Sequence, residues 1–95
     1  MVSSLPTIEL LEKTHVFPCV YVFKVIGKAE SSFLARAVAM VREELNLEFD
    51  PPYHVREAVG GRHHSVTLEP TVHSAQHILA IYRRLSGLEG LVMMF

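Results

Sequence analysis

The sequence predicts an α+β fold in which two helices cover one face of a four-stranded antiparallel sheet. Three observations predict it: a β-branched and aromatic run over residues 17–27, amphipathic patterns over residues 31–46 and 74–87, and a Gly60-Gly61 pair between two alternating segments. Apolar spacing of three and four residues indicates a helix, whereas strict alternation indicates a strand. A chain of 95 residues is long enough to bury one such core.

The first element is a short helix within residues 1–16, which we interpret as an extension ahead of a domain formed by residues 17–95. Ser4 is a candidate N-cap, and Pro6 fits an early helical position. A helix of fewer than about twelve residues is marginal in water, so this one is expected to dock on the rest of the protein.

The run "FPCVYVFKVIG" over residues 17–27 predicts one strand that is apolar on both faces. Alternation divides its side chains into two sets, with Tyr21, Phe23 and Val25 on one side and Val20, Val22, Lys24 and Ile26 on the other. Two helices cover only one face of a sheet. We therefore expect Tyr21, Phe23, Met94 or their neighbours to point at the open face, under the N-terminal helix or a second subunit.

The two amphipathic patterns each predict a helix that begins after a serine. Apolar stripes run through "SSFLARAVAMVREELN" and "SAQHILAIYRRLSG", and Ser74 is the candidate N-cap of the second helix. Tyr82 falls on the inner stripe, which indicates a core tyrosine. The chain closes with "GLVMMF", a wholly apolar strand.

The stretch "VREAVGGRHHSVTLEP" predicts a β-hairpin, because glycine enters the turn conformations with positive φ without steric cost. Alternation places His64 with Val66 and Leu68 on one face, while His63 lies on the other. The element order is thus a short helix followed by βαββαβ. With crossovers of the normal hand, this order gives the ferredoxin-like two-layer sandwich, in which the first and third strands are central.

The charge balance argues against nucleic-acid and membrane partners. Nine Lys and Arg against ten Asp and Glu give a net charge of -1, and no apolar run is long enough to span a membrane. Cys19 is the single cysteine, so no internal disulfide is expected. The first residues lack the basic region of a signal peptide. We expect a cytoplasmic protein.

The histidines and serines do not form a recognisable catalytic or metal-binding pattern. His73 and His77 have the spacing of a helical ligand pair, but no carboxylate or cysteine completes the set at a standard spacing. Ser65 and His64 point to opposite faces of a strand, so they form no nucleophile–base pair. We therefore expect no enzymatic activity, no catalytic residues, no metal and no cofactor. The turn "GKAESS" could hold an anion on the helix amides that follow it, or could be only a solvated turn.

Three segments resemble the YbeD-like family of small bacterial proteins of unknown function: "FPCVYVFKVIG", "HHSVTLE" and "IYRRL". The positions that match the family pattern are Phe17, Pro18, Tyr21, Lys24, Val25, Gly27, His64, Ser65, Val66, Tyr82 and Leu85. Phe23 stands where that family usually has tyrosine, and the Gly60-Gly61-Arg62 loop departs from its usual polar loop. The resemblance implies a ferredoxin-like fold and similarity to ACT-type regulatory domains, which pair through sheets or helices and bind amino acids at the interface.

Two functional hypotheses follow. The first is a non-enzymatic regulatory or protein-interaction module, homodimeric or bound to a protein partner through the open sheet face or edge, with an interaction surface formed by Tyr21, Phe23, Lys24, His64 and Met94. The alternative is an ACT-like domain that binds a small molecule, either an amino acid or an anion. By analogy with ACT-type domains, its site would consist of Lys24, Gly27, Lys28, Glu30 and Ser31. Fold alone licenses neither function.

Overall fold

The computed structural model describes residues 5–30, 32–58 and 60–95. Within these ranges the elements follow one another as α1 (Ile8–Thr14), β1 (Cys19–Val20), β2 (Phe23–Lys28), α2 (Phe33–Glu44), β3 (Tyr53–Glu57), β4 (His63–Leu68), β5 (Thr71–Val72), α3 (Ala75–Ser86) and β6 (Leu91–Met94). None of these helices is both long enough and apolar enough to cross a membrane.

Four of the strands form one sheet in the order β3-β4-β2-β6, and every neighbouring pair is antiparallel. The two central strands are therefore β2 and β4, while β3 and β6 form the edges. β1 and β5 make a separate two-stranded antiparallel pair. The predicted α+β class is confirmed.

The single strand predicted over residues 17–27 is divided in two, and Pro70 explains the division. β1 and β2 meet β5 and β4 in one continuous register, from Cys19 opposite Val72 to Phe23 opposite Leu68. At the interruption, Tyr21 donates its backbone N–H to the carbonyl oxygen of Pro70 at 3.0 Å. Proline has no N–H to donate in return, so the ladder loses a bond there.

The core lies between one face of the four-stranded sheet and the helices α2 and α3. Its sheet side is supplied by Phe23 and Val25 of β2, Val66 and Leu68 of β4, and Met94 of β6. α1 packs against α3 and places Leu11 in the same core. Because α1 joins the helical layer, it does not cover the opposite face of the sheet. The N-terminal helix was one of the two covers expected for that face, the other being a second subunit.

The N-termini of the three helices are capped in different ways. α1 begins at Ile8, with Thr7 as its N-cap accepting a hydrogen bond from the backbone of Leu10 at 3.1 Å; Ser4 lies outside the described residues. At α3 the predicted cap is confirmed, because Ser74 Oγ accepts from the backbone N–H of His77 at 3.2 Å. Ser32 precedes α2 but makes no capping hydrogen bond with its side chain.

The predicted hairpin between β3 and β4 is confirmed. Glu57 pairs with His64, and the N–H of Ala58 bonds the carbonyl of His63 at 2.9 Å. Gly60 and Gly61 both have positive φ, at 85° and 69°. The turn therefore needs glycine at these positions for its backbone conformation.

Candidate functional site

The face of the sheet away from the helices is open, and alternation identifies the side chains on it. We call this surface the open face; it comprises Lys24, Ile26 and Lys28 of β2, His54 and Arg56 of β3, His63, Ser65 and Thr67 of β4, together with Met93 and Phe95. These residues alternate with the buried ones on each strand, so they point away from the core.

The interaction surface predicted from the sequence does not come together. Phe23 and Met94 are almost fully buried on the helical side of the sheet, and His64 shares that side because it alternates in step with buried Val66. Only Lys24 of the five points to the open face. The expectation that Phe23 and Met94 face outward is wrong because α2 and α3 cover the side of β2 that carries Phe23 and Val25.

Tyr21 is the fifth residue of that predicted surface, and it belongs to an aromatic cluster at the rim of the core. Its ring centroid lies 4.9 Å from that of Phe23 and 5.4 Å from that of His15. Its hydroxyl lies 3.2 Å from the hydroxyl of Tyr82. Burial, reinforced by this hydrogen bond, raises the pKa of Tyr82 well above the ordinary tyrosine range. The hydroxyl contact joins the segment between β1 and β2 to α3.

The predicted small-molecule site is separated into two parts. Gly27 is buried, and a Cβ at this position would lie 2.3 Å from the ring of Phe33. Its role is therefore close packing of β2 against α2. Lys24 lies on the open face, four residues from Lys28 along the strand. Ser31 lies outside the described residues.

Lys28 and Glu30 do meet in one cleft. The cleft has a volume of about 380 Å³ and lies where β2 leaves the sheet beside the hairpin turn; Lys28, Ala29, Glu30, Gly61, Arg62 and His63 line it. The N–H of Ala29 donates a hydrogen bond to the carbonyl oxygen of Arg62 at 2.9 Å. This bond holds the two sides of the cleft, the end of β2 and the hairpin turn, next to each other. Three of the lining side chains can carry positive charge, which makes the cleft suitable for an anion.

Arg56 and Arg62 were not among the residues selected from the sequence. Arg56 pairs with Ser65 and so lies two strands away from Ile26 on the open face. The signal for Arg56 was present in the alternation of "YHVRE", where it occupies the face opposite to Val55. Arg62 stands in the turn, where alternation makes no prediction.

The histidines do not converge. Within the part of the chain that the structure describes, no three His, Cys, Asp or Glu side chains form a group that could hold a metal ion. The rings of His73 and His77 lie 6.5 Å apart at nearly a right angle. His64 approaches Glu57 at 3.9 Å, and His54 approaches Glu69 at 3.7 Å. Each of these contacts joins two side chains only.

Comparison with known proteins places the chain in a family. The family model described as "Protein of unknown function (DUF493)" matches residues 12–95. A UPF0250 protein of Shewanella sp. (strain ANA-3) is 38% identical over 82 residues, covering 86% of each chain. One of Shewanella oneidensis is 37% identical over 82 residues, again 86% of each chain. One of Shewanella baltica (strain OS155) is 34% identical over 74 residues, covering 78% of this chain and 82% of the relative.

These matches confirm the resemblance to the YbeD-like family, and they span the helical layer, the sheet and the cleft described above. The chain therefore belongs to the family of proteins of unknown function DUF493, whose curated relatives carry the name UPF0250.

Proposed function

We propose that the chain is a non-enzymatic interaction module that pairs with a second copy of itself through the free edge of β6. The observation that carries this proposal is the composition of that edge. No charged residue occurs from Leu91 to Phe95, and Val92, Met93 and Phe95 are 46%, 46% and 57% exposed. An apolar edge strand without charges is a template for pairing with another strand.

The opposite edge of the sheet has the features that discourage pairing. β3 carries His54, Arg56 and Glu57, and Pro51-Pro52 precede it. Proteins protect free edges with such charges and prolines. Pairing is therefore expected at β6 and not at β3.

Antiparallel pairing of β6 with its copy would be isologous, with the same residues on both sides of a two-fold axis. We infer that the strand order β3-β4-β2-β6, with α2 and α3 on one face, is the ferredoxin-like βαββαβ arrangement. The resemblance to ACT-type domains, which pair through sheets or helices, supports this mode of assembly. The cytoplasm, where the lone Cys19 stays reduced, remains the predicted compartment.

The non-enzymatic part of the proposal rests on the separation of candidate catalytic groups. Ser65 lies on the open face, whereas its neighbour His64 lies on the helical side of the same strand. A nucleophile and its base need to be within hydrogen-bond reach of each other. These two side chains cannot meet without disrupting β4.

Light scattering at micromolar protein concentration tests the pairing. We expect the mass of a dimer for the unmodified chain and a monomer for Val92→Lys, because a lysine on an edge strand opposes pairing. Val22→Lys is the matched control: Val22 is 52% exposed and lies outside the four-stranded sheet, so this variant should stay dimeric. A strictly monomeric unmodified chain would remove the proposal.

A second candidate function is binding of a small anion or amino acid in the cleft lined by Lys28, Arg62 and His63. The observation in its favour is that these side chains line one cleft together with Glu30. Lys28 and Glu30 both belong to the small-molecule site predicted from the sequence. Ligand at a hundred times its Kd adds about 2.7 kcal/mol of stability. A thermal-shift screen of amino acids and small anions should give a hit that Lys28→Ala abolishes. Silence across the screen in an intact protein would count against this candidate.

A further inference from the structure

The lysines and arginines of the helical layer are mostly neutralised within the molecule. Lys13 of α1 contacts Glu9 at 3.6 Å, and Arg36 of α2 contacts Glu89 at 2.8 Å. Arg42 pairs with Asp50, and Arg84 of α3 pairs with Glu43 at 3.0 Å and with Glu44 at 3.7 Å. Arg83, exposed near the end of α3, is the exception among the described helical residues.

The lysines and arginine of the open face, in contrast to those of the helical layer, do not form ion pairs within the described residues. Lys24, Lys28 and Arg56 lie on this face, with Arg62 at its end, and all four are exposed. In the described ranges none of them has a carboxylate within ion-pair distance of 4.0 Å. The net charge of -1 therefore conceals a separation of charge between the two sides of the molecule.

Among the described residues, the acidic side chains near this face lie at its two ends. Glu69 approaches His54 at 3.7 Å at one end, and Glu30 lines the cleft with Lys28 at the other. Between these ends, the outward positions of the four strands carry no acidic residue. Arg56 lies in the row between these ends, and neither Lys24 nor Lys28 forms an ion pair within the described residues, so these cations are available to a partner.

An apolar strip runs beside the cations. Ile26 and Met93 are direct partners across β2 and β6, and Phe95 pairs with Lys24 through two backbone hydrogen bonds. The ammonium of Lys24 lies 6.0 Å from the centroid of the Phe95 ring. Strand geometry separates Lys24 from Lys28 by roughly 13 Å and places Arg56 about 10 Å from Ile26 across the sheet. The cations thus lie around the apolar strip.

We propose that the open face binds an acidic segment of another protein, in which one side of the extended chain carries both apolar residues and glutamate or aspartate. The carboxylates would meet Lys24, Lys28 and Arg56, and the apolar side chains would cover Ile26 and Met93. This inference rests on the proposed interaction function and names the partner of the face beside the dimer edge. Complementary potential between two surfaces provides both specificity and faster association.

The same surface fits a nucleic acid less well. Sheets that bind single strands stack bases on aromatic side chains of their central strands. Here the central strands present Lys24, Ile26 and Lys28 on β2, and His63, Ser65 and Thr67 on β4. Phe95 is the sole aromatic ring other than histidine among the described residues of this face, and it lies at the edge. Aliphatic groups surrounded by cations match an acidic, apolar peptide.

Fluorescence anisotropy tests the proposal with a labelled fourteen-residue peptide, which is long enough in extended form to cross the face. In this peptide pairs of glutamates follow pairs of leucines, interrupted by serines, so that each side of the extended chain carries both residue types. Two further peptides replace every leucine by serine or every glutamate by glutamine, and a labelled oligouridylate represents nucleic acid. The protein variants are Lys24→Glu, Arg56→Glu and, as the matched control on the helical layer, Arg83→Glu.

We expect the glutamate–leucine peptide to bind more tightly than all three other probes. Lys24→Glu and Arg56→Glu should each weaken it by about tenfold or more, because each removes a charge-assisted contact. Arg83→Glu should leave binding within about twofold, since surface charges outside the contact contribute little. Rising salt should weaken binding, as for any charge-assisted contact.

Three outcomes overturn the proposal: no binding of the glutamate–leucine peptide, equal or tighter binding of oligouridylate, or equal weakening by Arg83→Glu. Light scattering on the same samples separates this result from the pairing at β6. Val92→Lys should be monomeric and still bind the peptide, whereas Lys24→Glu should be dimeric and bind it about tenfold or more weakly. Loss of both properties in either variant contradicts the independence of edge and face.

Discussion

Gly27 lies where β2 passes beneath the first turn of α2, and its missing side chain leaves the space that the Phe33 ring occupies. A Cβ would come within 2.3 Å of that ring. Phe33 is itself buried, so it has little freedom to move aside. Gly27 was predicted to belong to a small-molecule site. Its lack of a side chain instead allows β2 and α2 to pack closely.

Gly27→Ala is therefore expected to destabilise the protein by about 1–3 kcal/mol, the usual cost of overpacking a core. Gly87→Ala is the control, because the nearest heavy atom to a Cβ there lies 3.7 Å away and its φ is -93°. Urea unfolding measures both. Equal stability of Gly27→Ala and the unmodified chain would show that the Phe33 ring can move aside, which would contradict the packing role of Gly27.

The buried hydroxyl of Tyr82 makes the stability of the protein depend on pH in the alkaline range. Burial holds the pKa of Tyr82 above its unfolded value, so the folded state retains this proton more tightly than the unfolded state does. Its contribution is fully present below about pH 10, the ordinary pKa of tyrosine, and is lost as the pH rises beyond it.

Tyr82→Phe should cost about 1 kcal/mol at neutral pH through the lost hydroxyl contact. It should also flatten the decline of stability above about pH 10. Tyr53→Phe, at a residue 42% exposed, should leave the decline unchanged. Urea unfolding at neutral and alkaline pH measures how steeply the stability of each variant falls with pH. An unchanged decline in Tyr82→Phe would contradict the assignment of this effect to the Tyr82 hydroxyl.

For single residues, the sequence predicts which side chains of a strand share a face better than it predicts which of the two faces is buried. Phe23 and Lys24 were correctly placed on opposite faces, yet Phe23 was expected outward and is buried. Alternation fixes which residues share a side, while the choice of the buried side depends on where α2 and α3 pack. Arg56 follows the same rule: the pairing of β3 and β2 with β4 places it on the same face of the sheet as Lys24.

At the scale of the elements, serines that look equivalent in sequence differ in function. Ser74 and Ser32 each precede a helix of twelve residues, but only Ser74 accepts a backbone hydrogen bond at the N-terminus. Ser32 instead has φ 59°, a left-handed conformation. A serine N-cap requires extended backbone geometry, which composition does not specify.

Ser74→Ala should therefore destabilise the protein by about 1 kcal/mol, whereas Ser32→Ala should change stability by only a few tenths. Thermal or urea unfolding of the two variants compares them directly. A larger loss in Ser32→Ala than in Ser74→Ala would contradict the capping geometry at both helices.

The order and type of the main elements were predictable because periodicity and the Gly60-Gly61 turn identify them locally. The division of the first strand was not, since it depends on which residue faces Tyr21. Pro70 is distant in sequence and becomes its neighbour only after β4 has paired with β2. The pair formed by β1 and β5 was missed for the same reason.

At the scale of the whole molecule, the distribution of charge and the free edge are the features that single residues do not reveal. The helical layer neutralises most of its own cations, while Lys24, Lys28 and Arg56 face outward from the sheet. Beside them, β6 ends the sheet without a protecting charge. We infer that edge and face serve two different contacts, one with a second copy and one with an acidic partner.

The backbone of β6 provides the most direct test of the pairing. Phe95 and Lys24 exchange both of their backbone hydrogen bonds, so Met94 opposite Val25 belongs to a pair that exchanges none. The N–H of Met94 therefore points away from β2, toward the free edge. The N–H of Met93 points inward and serves as an internal reference.

Hydrogen exchange of these two amides, measured at high and at low protein concentration, reports on the edge. If β6 pairs with its copy, the Met94 amide is protected at high concentration and loses that protection on dilution, while the Met93 amide stays protected throughout. Rapid exchange of the Met94 amide at every concentration, with the Met93 amide still protected, would contradict pairing through this edge.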